Sequence, residues 1–267
     1  MKNIIFLTDF SKNADSALAY LAEFSKTLPE SNIYLIHTYA VATNTGMLMS
    51  IKDRIREDAK ALLMARKRKF ESLSGDRHYV FYKAIDGTLA TKVARLEKQL
   101  SADLIVSSMR GENSDDTNLI GPNAGSLIKE TQVPLLLIPP GLEFKAFEHI
   151  TFALKSTKIQ SSHTVTILKD LFNEKDPKLQ VLVADKGIGK ADIEDLHLNN
   201  ITFKIVRTDQ ESIYDAIMEN EKTNTTDLIS VIRRKRGFFE RFFLTGSFKR
   251  SVLDIRVPLL VLRGSDS

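Results

Sequence analysis

ADLIVSS (102–108) returns as TDLISVI at 226–232, and VPLLLI (133–138) returns as VPLLVL at 257–262; both intervals are 124 residues. Each run is short, apolar and rich in Val, Ile and Leu, the pattern of a strand buried on both faces. Two strands that recur in one order at one interval mean two copies of one domain. Outward from these runs, Asn3–Thr8, Ile33–His37 and Tyr79–Ala84 read as three earlier strands of the first copy. Between them lie helical periods. Ala14, Leu18, Leu21, Phe24 and Leu28 mark the first, ended by Pro29. Ile51, Ile55, Ala59, Leu62, Phe70 and Leu73 mark a long second one, whose basic run Arg66, Lys67, Arg68 and Lys69 reads as a solvated face. Leu89–Leu100 and Asn123–Lys129 supply the third and fourth helices. Strands alternating with helices imply parallel strands and right-handed crossovers.

The second copy repeats the order with strands at Ile150–Leu154, Leu179–Ala184, Ile201–Val206, Asp227–Val231 and Val257–Leu262. At the start of the copies the interval is 146 residues, from Ile5 to Thr151, which exceeds 124 by about the length of the second helix. The second copy is therefore expected to lack most of that helix and to keep a short one near Ala191–Leu198. Pro139-Pro140-Gly141 marks the boundary, so the domains are read as 1–140 and 147–267. The fold class is α/β: two tandem, five-stranded, parallel, doubly wound domains of Rossmann-like form.

Composition narrows the function. The chain has 267 residues and a formal net charge of +4, too mild to imply nucleic acid without a clustered patch. With no Cys, disulfides and thiol chemistry are excluded. No apolar run approaches the roughly 18 residues that span a bilayer. The N-terminus enters a strand directly, so the expected location is the cytoplasm. His37, His78, His149, His163 and His197 are scattered, without metal-ligand spacing, and no metal site is expected. GIGK (187–190) lacks the earlier glycine and the hydroxyl of a phosphate loop.

In an open parallel sheet a ligand sits outside the carboxyl ends of the strands, where the strand order reverses. After the first strand comes Thr8-Asp9-Phe10-Ser11. After the fourth come Ser107 and Ser108, Gly111, nine further residues, and then Gly121-Pro122-Asn123. Glycines let backbone approach a phosphate, and the amides of a following helix favour an anion.

A first strand ending in TDFS, a DLIV-type fourth strand, a glycine loop and a closing VPLLLIP strand together resemble the universal stress protein family, over nearly the whole chain and in tandem form. The resemblance implies the adenine nucleotide alpha hydrolase-like version of the fold. It also implies a G-x-x-G-x9-G-S/T loop that holds the phosphates of ATP, and a first-loop Asp near adenine and ribose. Carried onto this chain, Asp9 matches that acid, with Thr8 beside it. Thr38 falls where an apolar residue meets the adenine. Gly111 and Gly121 match the second and third glycines. Ser108 stands at the first glycine, and Pro122 replaces the Ser/Thr, which removes a hydroxyl and an N–H from the cradle. Asn123 still offers an amide. The implied ligand of domain 1 is ATP, a less phosphorylated adenine compound, or none, and no cofactor is required. In domain 2 Lys155 stands in place of Asp9, and Arg233 and Arg236 fall at the glycine positions ahead of Gly246-Ser247, so that loop is degenerate.

The segment IRRKRGFFERFF (232–243) sets Phe238, Phe239, Phe242 and Phe243 on one helical face among Arg233, Arg234, Lys235, Arg236 and Arg241. It reads as a surface covered by protein: the sister domain, a second chain or a partner. Nucleic acid and anionic membrane are the lesser readings. The expectation is a non-enzymatic stress-response binding protein. The resemblance implies pairing through the last strand, which two domains in one chain satisfy by Val133–Ile138 with Val257–Leu262, and two such chains are then expected to associate as a homodimer. The alternatives are an ATP-binding, slowly hydrolysing switch and a ligand-free scaffold acting through the phenylalanine helix.

Overall fold

Asp103 and Asp227, the acids that open the two repeated strands, make the same bonds in two places. The Asp103 carboxylate accepts from the Lys2 and Asn3 amides at 2.6 and 3.0 Å. The Asp227 carboxylate accepts from the Glu148 and His149 amides at 2.9 and 2.8 Å. Each acid ties the entry of its unit's first strand to the entry of its fourth. The repeat extends to the prolines of the two VPLL runs: Ile105 N–H donates to Pro134 O at 2.9 Å, and Ile229 N–H to Pro258 O at 3.0 Å. The computed structural model from which these contacts come describes residues 1–40, 48–111, 120–154, 167, 171, 178–183, 203–207, 213–222, 224–233 and 256–263.

The chain divides into Met1–Phe144 and Lys145–Ser267. The first unit runs β1 (Asn3–Leu7), α1 (Lys12–Ser25), β2 (Asn32–Tyr39), α2 (Leu48–Ser74), β3 (Tyr79–Asp86), α3 (Leu89–Gln99), β4 (Leu104–Ser108), α4 (Pro122–Glu130) and β5 (Leu135–Ile138). Its strands are parallel in the order β3-β2-β1-β4-β5. The order reverses between β1 and β4. Right-handed crossovers therefore put α1 and α2 together and α3 and α4 together, as their packing shows. The core is the double-faced strand set: Ile4, Ile5, Phe6, Leu104, Ile105 and Val106 are buried, with Leu18, Leu21 and Phe24 of α1 over them. Fully burying each such side chain stabilises the unit by about 1.5–3 kcal/mol.

In the second unit, β6 (His149–Leu154), β7 (Lys178–Val183), β8 (Phe203–Arg207), α5 (Ile213–Glu221), β9 (Leu228–Arg233) and β10 (Leu259–Arg263) are described. These strands are also parallel, in the order β8-β7-β6-β9-β10, which is the same winding. The two-unit, doubly wound parallel fold is the one the sequence predicts. The short helix expected near Ala191–Leu198 lies outside the described residues.

Two local expectations need correction on α2. The buried stripe runs through Ala59, Leu63 and Phe70, while Leu62 is 42% exposed and Ile51 is 49% exposed. Leu62 and Leu63 are both apolar, so the helical period alone selects the wrong one of the pair. The basic run is not a uniformly solvated face either. Arg66 turns inward, its side chain only 15% exposed, and pairs with Asp15 of α1 at 3.0 Å. The Lys67 ammonium donates to Val80 O of β3 at 2.8 Å. Arg68 and Lys69 alone keep the solvated role. A long cationic side chain has the reach to satisfy an acceptor on the neighbouring element while its stem covers apolar surface.

Candidate functional site

The TDFS sequence after β1 folds as a chain of local caps. Thr8 Oγ1 accepts from Phe10 N–H at 3.0 Å, Asp9 Oδ1 from Ser11 N–H at 3.0 Å, and Ser11 Oγ from Ala14 N–H at 3.1 Å. Ser11 is thereby the N-cap of α1. The turn forces Phe10 into the left-handed region, with φ 65°. For a non-glycine residue that conformation costs about 1–2 kcal/mol. Surrounding contacts offset the cost. The Phe10 ring stacks on His37 with centroids 4.1 Å apart, the Arg66 guanidinium carbon lies 4.9 Å from its centroid, and Arg66 donates to Phe10 O at 3.2 Å. Strain held in this way clusters at functional sites.

These contacts border a cavity of about 360 Å³ at the carboxyl ends of β1, β2 and β4. That volume is within the roughly 300–1,000 Å³ usual for small-molecule sites. Thr8, Asp9, Thr38, Ser107, Ser108, Gly111 and Asn123 all line it. Gly121 and Pro122 do not. Gly121 instead backs the wall: a Cβ there would come 3.3 Å from Arg110 Cα, and its amide donates to Met109 O at 2.9 Å. At Gly111 a Cβ would sit 3.0 Å from Asp9 Oδ2, so the absent side chain is what lets that carboxylate lie against the loop. Sequence reasoning missed His37, Ala40, Gly87, Thr88, Leu89, Met109 and Ala124, which share the lining. For His37 and Ala40 a signal existed: they stand one residue before and two residues after Thr38, where β2 ends. Thr88 is the N-cap of α3 yet makes no capping bond with its hydroxyl.

His37 has a defined tautomer. Its Nδ1 lies 2.8 Å from Thr8 O. A carbonyl only accepts, so Nδ1 carries the proton and the neutral ring presents Nε2 as an acceptor. Burial pushes its pKa below the ordinary imidazole value; the Thr8 carbonyl and Asp9 oppose this, and Arg66 reinforces it.

In the second unit only one of the candidate positions is described. Arg233 is the last residue of β9 and is buried. Lys155, Arg236, Gly246, Ser247 and the phenylalanine face Phe238, Phe239, Phe242 and Phe243 lie outside the described residues. Among the described residues no helix is long and apolar enough to cross a membrane, and no group of three or more His, Asp or Glu is placed to hold a metal.

A curated relative, Universal stress protein MJ0577 of Methanocaldococcus jannaschii, is 23% identical over 153 residues, covering 51% of this chain and 94% of that protein. Among solved structures, a universal stress protein from Archaeoglobus fulgidus superimposes with a TM-score of 0.73 at 19% identity, covering 98% of both chains. A protein of unknown function from Pseudomonas aeruginosa, PA1789, gives a TM-score of 0.53 at 12% identity over 99% of this chain and 93% of its own. Those two share the fold along the full two-unit length. A sequence model of the Universal stress protein family matches residues 1–139, and the chain belongs to that family.

Proposed function

We propose that the first unit reversibly binds a ligand containing adenine, a nucleotide or nucleoside, and that the chain is a non-enzymatic, stress-related regulatory protein working as a homodimer. One observation carries the reading: the Asp9 carboxylate is locked by Ser11 N–H and lies against Gly111 at the mouth of the cavity where the strand order reverses. Family resemblance assigns the acid at that place to adenine and ribose, and strand topology assigns ligands to that crevice. Among the described residues the polar side chains around the cavity are hydroxyls, an amide, one carboxylate and one imidazole, set beside the apolar Leu7, Ala40, Leu89, Met109 and Ala124. The polar groups suit hydrogen bonding to a bound molecule.

The second unit carries Lys155 in place of the acid and arginines in place of the glycines, so binding is assigned to the first unit alone. Calorimetry on the full chain tests this. One site per chain is expected. Asp9→Ala is expected to weaken binding by about 1.5–3 kcal/mol, the range for a hydrogen bond to a charged group, while Lys155→Ala leaves it unchanged. Two equivalent sites would refute the assignment.

A further inference from the structure

We propose that the cavity of the first unit selects an uncharged adenine nucleoside over its polyphosphate, because among the described residues its wall sets one carboxylate and one imidazole acceptor among hydroxyls and carries no Lys or Arg. The proposal rests on the reading of an adenine-containing ligand and sharpens it to a chemical class.

A polyphosphate chain is acceptor-only and strongly negative. It is held by cations, by backbone N–H groups and by hydroxyls at a helix N-terminus. Here the helix that would serve is α4. Its N-cap amide, that of Gly121, is already given to Met109 O at 2.9 Å. The first helical residue is Pro122, which has no N–H and no hydroxyl. Asn123 and Ala124, the next residues of that helix, line the cavity and carry backbone N–H groups. On the facing wall Asp9 is held against Gly111, with its Oδ2 3.0 Å from where a Cβ would be, so a carboxylate fronts the loop that a phosphate would approach.

A nucleoside has the opposite character. Its ribose hydroxyls and exocyclic amine are donors. The Asp9 carboxylate and His37 Nε2, an acceptor once Nδ1–H is committed to Thr8 O, are the matching acceptors. Thr38, Thr88, Ser107 and Ser108 supply hydroxyls that donate to ring nitrogens or accept from the sugar.

The test is calorimetry on the full chain, stripped of bound ligand and with divalent cations chelated, using adenosine, AMP and ATP. Adenosine is expected to bind about tenfold or more tightly than ATP. Raising ionic strength from about 0.01 to about 0.15 M shortens the screening length and is expected to improve ATP binding while leaving adenosine unchanged. Pro122→Ser restores the N–H and the hydroxyl. It is expected to strengthen AMP and ATP binding about threefold or more, without effect on adenosine. ATP binding as tight as adenosine, ATP affinity that falls with salt, or an unchanged ligand ratio in P122S overturns the selectivity while leaving an adenine site intact. Binding of none of the three overturns the adenine reading itself and this proposal with it.

Discussion

His78 illustrates how one buried residue couples proton uptake to folding. It lies beneath the C-terminal end of α1, with Nε2 3.1 Å from Ser25 O. Nε2 must carry the proton, so Nδ1 is the acceptor, and among the described residues that buried atom has no hydrogen-bond partner. Protonation would create a buried donor with nothing to receive it. Burial accordingly holds the His78 pKa below its ordinary value; the Ser25 carbonyl and Glu30 oppose this, and Arg77 adds to it. His37 is lowered in the same direction. With folded values below unfolded ones, the unfolded chain binds more protons in that window. The contribution to stability is full above the unfolded imidazole pKa and is lost as pH falls toward the folded value. Glu221 of the second unit has the opposite sign: burial raises its pKa, so its contribution is lost as pH rises through the carboxylate range. The melting temperature is expected to drop on acidification from about pH 7.5 to about pH 5.5. His78→Gln, which keeps a donor for Ser25 O and never becomes charged, is expected to flatten that drop. An acid limb equally steep in the variant would assign the proton uptake elsewhere.

At the scale of elements, α3 is fastened to the start of β5 by a single acid. Glu97 is 2% exposed, and its carboxylate accepts from Gln132 N–H at 2.9 and 3.1 Å and from Val133 N–H at 3.4 Å. These amides follow the C-terminus of α4 and lead into the VPLLLI strand, so Glu97 sets where that strand enters the sheet. Glu97→Ala is expected to destabilise the chain by about 2–3 kcal/mol, the cost of leaving partly buried donors without their charged acceptor. Glu97→Gln, which keeps an acceptor oxygen, is expected to lose less. Urea unfolding measures both, and an alanine variant within about 0.5 kcal/mol of wild type would contradict the fastening role. Element-scale reading from sequence was sound for periods and for strand order. It failed where two apolar neighbours compete for one stripe, as Leu62 and Leu63 do. It failed also where a cation finds a distant acceptor, as Arg66 does with Asp15.

Across the whole molecule, each of the two compact units carries its own copy of one tie. Asp103 pins β1 and β4 of the first unit, and Asp227 pins β6 and β9 of the second. Charge-assisted bonds to partly exposed amides are worth about 1 kcal/mol each. Asp103→Ala is therefore expected to speed amide exchange in the strands of residues 1–144 and to leave those of 145–267 near their wild-type rates, with Asp227→Ala doing the reverse. Exchange followed by mass spectrometry on the intact chain reads both. Equal acceleration in both units by either variant would show that the ties stabilise the chain as one cooperative body.

The sequence by itself determined the two-copy α/β plan, because buried-strand runs and helical periods are local patterns written in nearby positions, and their return at one interval of 124 residues is read by direct comparison. Thr8, Asp9 and Ser11 were legible as the stretch that follows the first strand, where a ligand is expected, while the amide each one caps two or three residues on came from the structure. Only the tertiary structure decided which side chains share the cavity. The pairing of Leu7 with Ile36 and with Ser107 brings three strand ends to one place, and the loop after β3 adds Gly87 and Thr88. The inward turn of Arg66 likewise depends on Asp15, 51 residues earlier in the chain. A side chain with several rotatable bonds takes the direction in which its charge is satisfied, and that direction is set by neighbours which sequence spacing does not encode.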